Sequence, residues 1–165
     1  MKTYGVLFLV LMLSLSSVCA QAFSGNGKNG KSEEIKSLVE SGELLFTAEY
    51  AFKRSGQKVP LPYGYDLRID HSFIASWLPS LERSFGESVE RFQFREYARS
   101  ANVVYDERNR VYQLSFDVET DSDNLLVQIR IGEDGRATLT MISNNREAVS
   151  YEGVVETSPV RNRSI

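Results

Sequence analysis

Cysteine is nearly missing from this sequence. The one present, Cys19, lies in a stretch that reads as a leader, so the processed chain would carry none. That excludes disulfides, a thiol nucleophile and a thiolate metal site from the mature protein. Histidine is equally scarce, with His71 alone. Zinc needs more ligands than one histidine and scattered carboxylates. Asp70-His71-Ser72 looks like a triad on paper, but neighbours on an extended chain point to opposite sides and cannot form that relay. His71 therefore reads as a turn residue. No excess of basic charge is present either. The 19 basic residues, less Lys2 of the leader, leave 18 against 22 acidic, a balance of -4. Such mild acidity argues against a nucleic-acid or anionic-membrane binder. Gly132, Gly135 and Gly153 lack the strand–loop–helix setting of a phosphate loop. The pattern of alternating strands and helices that builds a parallel sheet is also missing.

Long apolar runs are absent beyond Val6 to Leu15, which falls short of the ~20 residues of a comfortable membrane span. With Lys2 before it and Val18-Cys19-Ala20 after it, the run has the layout of a secretory signal peptide. Residues 1–20 are the expected leader, cleaved after Ala20, with Ala22 as the alternative site. A lipid-modified cysteine wants a small residue before it and a leucine two further back. Val18 and Ser16 stand there instead, so lipoprotein anchoring is not expected. Export without disulfides suits a bacterial envelope, and the expected location is periplasmic or secreted. The remaining 145 of 165 residues are enough for one domain with a real core.

Residues 21–31 are rich in Gly, Asn and Lys and read as a flexible linker. A single domain is expected over 32–156, and 157–165 form a polar tail. Ser32 is a good N-cap, Ile35, Leu38 and Val39 make one apolar face, and Gly42 ends a short helix. Period-two alternation follows. Leu44, Phe46, Ala48, Tyr50 and Phe52 share one face of a strand. Tyr65, Leu67 and Ile69 line the next, after a Gly- and Pro-rich loop over 54–64. Phe73 to Leu78 is extended up to Pro79. The segment from Ser80 to Ser88 is ambiguous. Alternation returns over 89–98, and Asn102 to Tyr105 is a brief run. Tyr112, Leu114, Phe116 and Val118 face inward on a further strand. Val127 to Val155 is a three-stranded meander, its turns at Gly132–Gly135 and Ser143–Asn145. Leu139, Met141, Val149 and Tyr151 are core candidates. The expected fold is α+β: one N-terminal helix packed on the inner face of a curved antiparallel sheet of about eight strands, rolled toward a half-barrel.

The acidic run Asp117, Glu119, Asp121, Asp123 is the best metal candidate by composition. Its spacing misses a calcium loop and strings the carboxylates along a strand instead of around a point. It reads as a solvated hairpin end. Arg91, Arg95 and Arg99 recur every fourth residue and share a strand face with Tyr97. Arginine forks to carboxylates and tyrosine stacks, so this stripe suits an anionic or sugar ligand. Tyr63 and Trp77 add aromatics near loops. These six residues are the expected ligand-binding set. No catalytic residues, metal or cofactor are expected.

Four stretches, EEIKSLVESGELLFTAEYAF, YGYDLRI, SFIASWLPSLERSFG and ATLTMISNNREAVSYEGVV, resemble in order and spacing the domain-of-unknown-function 4251 family. The likeness covers nearly all of the chain after the linker. It implies a small exported protein of Bacteroidetes-type Gram-negative anaerobes with an α+β domain. It brings no activity and no catalytic residues. Asp66, Leu78-Pro79 and Ser143-Asn144-Asn145 recur in it as structural punctuation. The chain departs at Cys19 from the members that are lipoproteins. The functional expectation is a non-catalytic binding or interaction domain whose partner is a small ligand or an envelope protein. The alternatives are a structural or inhibitor-like envelope protein that binds another protein and a carboxylate-based hydrolase, for which no defined pairing of acids appears.

Overall fold

The computed structural model describes residues 27–53, 55–80 and 91–158. The expected leader, residues 21–26 of the linker, most of the ambiguous segment and the tail from 159 lie outside them. Among the described residues one helix, α1 (Gly27–Ser41), precedes nine strands: β1 (Glu43–Phe52), β2 (Lys58–Pro60), β3 (Asp66–Asp70), β4 (Phe73–Pro79), β5 (Arg91–Asp106), β6 (Val111–Glu119), β7 (Asn124–Gly132), β8 (Arg136–Ser143) and β9 (Val149–Thr157). All pairings are antiparallel, and β3 to β9 follow one another as a meander.

The sheet closes. β9 pairs with β1 from Leu44 opposite Thr157 to Phe52 opposite Ser150. Eight strands thus form a complete barrel, and the expected half-barrel is corrected to a closed one. β2, inside the expected 54–64 loop, pairs only with the far end of β1, from Tyr50 to Phe52, and stays outside the ring. Period two cannot reveal closure, because every strand of a barrel and of an open curved sheet alternates alike.

An eight-stranded barrel is just wide enough to be filled by side chains. Here Phe46, Leu67, Ile74, Leu114, Ile129, Leu139, Met141 and Tyr151 fill it, all buried. No room remains for a helix inside. Helix α1 instead crosses one mouth. Its Ile35 abuts Gly135 in the β7–β8 turn, and the glycine that ends it, Gly42, abuts His71 in the β3–β4 turn. Ile35, Leu38 and Val39 point into the barrel and are buried, as their spacing predicts. Gly42, at φ 71, donates its N–H to the Val39 carbonyl.

Three local readings change. The helix starts at Gly27, five residues before the Ser32 cap. Lys31 pairs with Glu34 at 3.2 Å and lays its stem over Gly135, so docking extends a turn that glycine and asparagine propensity would not. A β-bulge between Ala48 and Tyr50 switches the faces of β1. Ala51 points inward and is buried, whereas Tyr50 and Phe52 are only half-buried. From Arg91 onward, the runs expected over 89–98 and 102–105 are one 16-residue strand, with an irregularity between Ala98 and Ser100; residues 89 and 90 lie outside the described residues.

At the opposite mouth, Ser143 ties the β8–β9 turn to the β6–β7 turn. Its Oγ donates to Asp123 Oδ2 at 2.5 Å and accepts the N–H groups of Asn145 at 3.0 Å and Arg146 at 2.8 Å. Asp123 is buried and also receives Arg146 Nε at 4.0 Å. Ser143→Ala is expected to lower stability by about 1–2 kcal/mol, because it strips a donor from a buried carboxylate. Urea denaturation of the variant would measure the loss.

Candidate functional site

The fold sorts five of the six expected binding residues into three places. On β4, Phe73, Ala75 and Trp77 point outward, while Ile74, Ser76 and Leu78 are buried. Across the β4–β5 ladder, Phe73 faces Tyr97, Ala75 faces Arg95, and Trp77 faces Gln93. Across β3–β4, Trp77 faces Asp66, Ala75 faces Arg68, and Phe73 faces Asp70. Trp77, Arg95 and Tyr97 are therefore brought together on the outer surface of three adjacent strands, with Arg68 beside them. Tyr97 is 70% exposed and Trp77 37%. The Tyr97 ring meets Phe73 edge-on, with centroids 5.3 Å apart, which fixes its orientation. Arg91 begins β5 opposite Pro79; its side chain lies outside the described part of the residue.

Arg99 and Tyr63 separate from this group. The irregularity after Ala98 takes Arg99 out of the alternation, and its guanidinium pairs with Glu119 of β6. Tyr63 is fully exposed on the β2–β3 loop and not on the strand face. The acidic run also divides. Asp117 accepts from Ser100 Oγ, Glu119 pairs with Arg99, and Asp123 turns inward to Ser143. These carboxylates serve separate protein contacts.

Two groupings escaped the sequence. Glu43 stands opposite Asp70 across β1–β3, and Glu43, Asp70 and His71 hold ligand atoms within 4.8 Å of one another. All three are exposed, and His71 Nδ1 already contacts Asp70 Oδ1 at 2.9 Å. Glu43 joins only through a cross-strand pairing, so no local spacing signals it. The second grouping centres on Glu133 in the β7–β8 turn. It accepts the Tyr105 hydroxyl at 2.7 Å and pairs with Arg110. These donors, Tyr105 first, hold the Glu133 carboxyl below its ordinary range, and the Ser32 hydroxyl contributes. The same bond raises the Tyr105 phenol. Glu133 thus joins α1, β5 and the β5–β6 turn at the helix-covered mouth. Ser32, expected as an N-cap, serves here.

Two depressions open on the outer wall away from the aromatic group. One, of about 450 Å³, has Arg130, Arg136, Asp134 and Glu152 among its walls. The other, of about 190 Å³, is lined by Asn102, Gln113, Ser115, Gln128, Thr138 and Thr140 among others. Both mix polar and aliphatic groups, with Val111 and Ala137 in the first and Val104, Leu114 and Ile129 in the second, and neither is lined by an aromatic ring.

The chain matches the family model described as a domain of unknown function, DUF4251, over residues 27–155. No curated protein matches it. The crystal structure of a DUF4251 family protein from Bacteroides eggerthii DSM 20697 is similar, with a TM-score of 0.64 at 10% identity. The match covers 78% of this chain and 88% of that one. At that identity the likeness concerns the fold. The family model spans the helix and the strands through Val155, and the chain therefore belongs to the DUF4251 family.

Proposed function

We propose that this protein is an exported, non-catalytic binding domain that meets its partner through the outer face of β3, β4 and β5. The observation that carries this reading is the convergence of Trp77, Arg95 and Tyr97 on that face, with two exposed rings beside a guanidinium. Solvated sheet faces ordinarily alternate small polar and charged groups. Exposed aromatics beside arginine are the residue types enriched where proteins bind. The chemistry suits a partner that offers carboxylates together with a flat or apolar surface, as a protein loop or an acidic glycan does. Export rests on the leader-like first 20 residues.

The test is capture by the purified protein from an envelope extract, in parallel with an array of acidic glycans. Trp77→Ala, Arg95→Ala and Tyr97→Ala all alter outward side chains and leave the barrel folded. Each is expected to weaken retention roughly tenfold or more, as truncation of a central anchor does. Whichever arm shows the loss names the partner class. Equal retention by the wild type and all three variants overturns the proposed face. Sequencing the N-terminus of the protein recovered from cells tests export, with Gln21 as the expected first residue.

A further inference from the structure

The outer face of β3, β4 and β5 is patterned around its smallest side chain, Ala75. Across the two ladders Ala75 has Arg68 on one side and Arg95 on the other. Neighbouring strands lie about 4.8 Å apart, so the two arginines stand about 10 Å apart at Cα with only a methyl group between them. Neither guanidinium has an ion-pair or hydrogen-bond partner among the described residues. Arg68 stays unpaired although Asp66 and Asp70 are its next outward neighbours on β3. The result is a gap over Ala75 that is open to solvent and positive on both sides. An anionic group placed there is within reach of both forks.

The rest of the face differs from this centre. Along β4, Trp77 and Phe73 lie two residues from Ala75 in either direction, about 7 Å away, and Tyr97 stands edge-on to Phe73. Rings therefore close both ends of the gap. At the corners, Asp66 and Gln93 flank Trp77, and Asp70 lies on the side of Phe73 away from Tyr97. Positive charge is confined to the middle, and carboxylates hold two of the corners. A partner with several carboxylates spread over it, such as an acidic protein loop, would set some of them against Asp66 and Asp70. A ligand with one carboxylate at its centre and hydroxyls around it would meet acceptors there instead. Over Phe73 to Trp77, β4 is also paired along both edges. A peptide cannot add there as a strand and would lose the main-chain bonds that give that mode its affinity.

We infer that the gap takes the carboxylate of a hexuronic acid unit in an acidic polysaccharide. Arg68 and Arg95 clasp the carboxylate over Ala75, a sugar ring packs its apolar C–H face on Trp77, and hydroxyls reach the corner acceptors. This rests on the binding face proposed above, names the class of its ligand, and adds Arg68 and Ala75 to the residues that build it.

Titration of the purified protein with trigalacturonate and with trimannuronate tests this, read by calorimetry and by the emission of Trp77, the single tryptophan. Saturable binding of at least one trimer, with a change in that emission, is expected. The fully methyl-esterified trimer keeps rings and hydroxyls but loses the charge, and should bind at least about tenfold more weakly. Arg68→Gln and Arg95→Gln should each raise Kd about tenfold. Ala75→Leu should abolish binding by filling the gap while its circular dichroism matches wild type; the two arginine variants carry the test on their own should leucine disturb the sheet. Arg99→Gln, which removes an arginine outside the gap, should leave Kd unchanged. Failure of both trimers to bind overturns the inference, as does equal binding of acid and ester or wild-type affinity in Arg68→Gln. Capture of an envelope protein that is lost in Trp77→Ala, with no response to either trimer, keeps the face and rejects the saccharide. Trimer binding that survives Trp77→Ala, Arg95→Ala and Tyr97→Ala rejects both.

Discussion

Gly153→Val is expected to cost at least about 3 kcal/mol and to leave the seam between β1 and β9 unable to close. Gly153 points inward on β9, opposite Ala48, where β1 bulges toward it. A Cβ there would overlap the Thr47 carbonyl oxygen, and would lie 2.9 Å from the Thr47 carbonyl carbon and 3.1 Å from Ala48 Cα. All three are backbone atoms, so no rotamer change relieves the clash. β1 would have to back away, and the ladder hydrogen bonds nearest the bulge would go with it. Alanine brings the same Cβ and should lose nearly as much, which separates a clash of backbones from a shortage of side-chain volume. Guanidinium denaturation followed by tryptophan fluorescence would give both values, since Trp77 is the single tryptophan. Wild-type stability in the Gly153→Ala variant would show that β1 stands further from β9 than described.

Tyr151→Ala should be comparably damaging, at about 4 kcal/mol, and Tyr151→Phe should cost about 2 kcal/mol. Tyr151 is fully buried on β9, and its hydroxyl donates to the Pro79 carbonyl at 2.6 Å, across the barrel at the end of β4. Alanine leaves a cavity in the middle of the core. Phenylalanine keeps the ring but strands a buried carbonyl. The two variants also differ from wild type in pH dependence. Burial pushes the Tyr151 phenol well above its ordinary value, which is near ~10. The folded state therefore holds the proton where the unfolded chain releases it. The contribution is complete below the unfolded value and falls away as pH rises above it. Wild-type stability should decline above pH ~10, and Tyr151→Phe should decline less steeply there. Parallel curves would show that the alkaline loss comes from other tyrosines.

The strands were legible in the sequence because each is a local pattern. The inward sets Leu114–Phe116–Val118 and Leu139–Met141–Val149–Tyr151 are buried as their alternation predicts. Tyr50 and Phe52 were misread because one extra residue in β1 reverses every later side chain on that strand, and nothing at Glu49 announces it. β2 was hidden by Pro60, its own last residue, and by Pro62 just beyond it, which read as loop. The ring closure was invisible for another reason. It depends on partners a hundred residues apart, such as Phe46 and Val155, and an alternating strand does not name its neighbour. The same holds for the candidate face. The Arg stripe was found at a spacing of four, but the spacing assumed an unbroken strand, and the irregularity after Ala98 removes Arg99. Trp77 joins Arg95 and Tyr97 only through the β4–β5 register.

The pairing of the first barrel strand with the last sets the order in which this protein can be made. β1 finds β3 early, but its other edge waits for Ser150 to Thr157. Until those residues leave the ribosome, two long apolar-faced edges stay open, and no shorter chain satisfies both. Folding dominated by such distant pairing is slow and exposes aggregation-prone edges while it proceeds. If the chain is exported as proposed, its crossing of a membrane unfolded would gain from that delay. The strand that completes the ring is the last to be synthesised, so the barrel stays open while most of the chain is still being made.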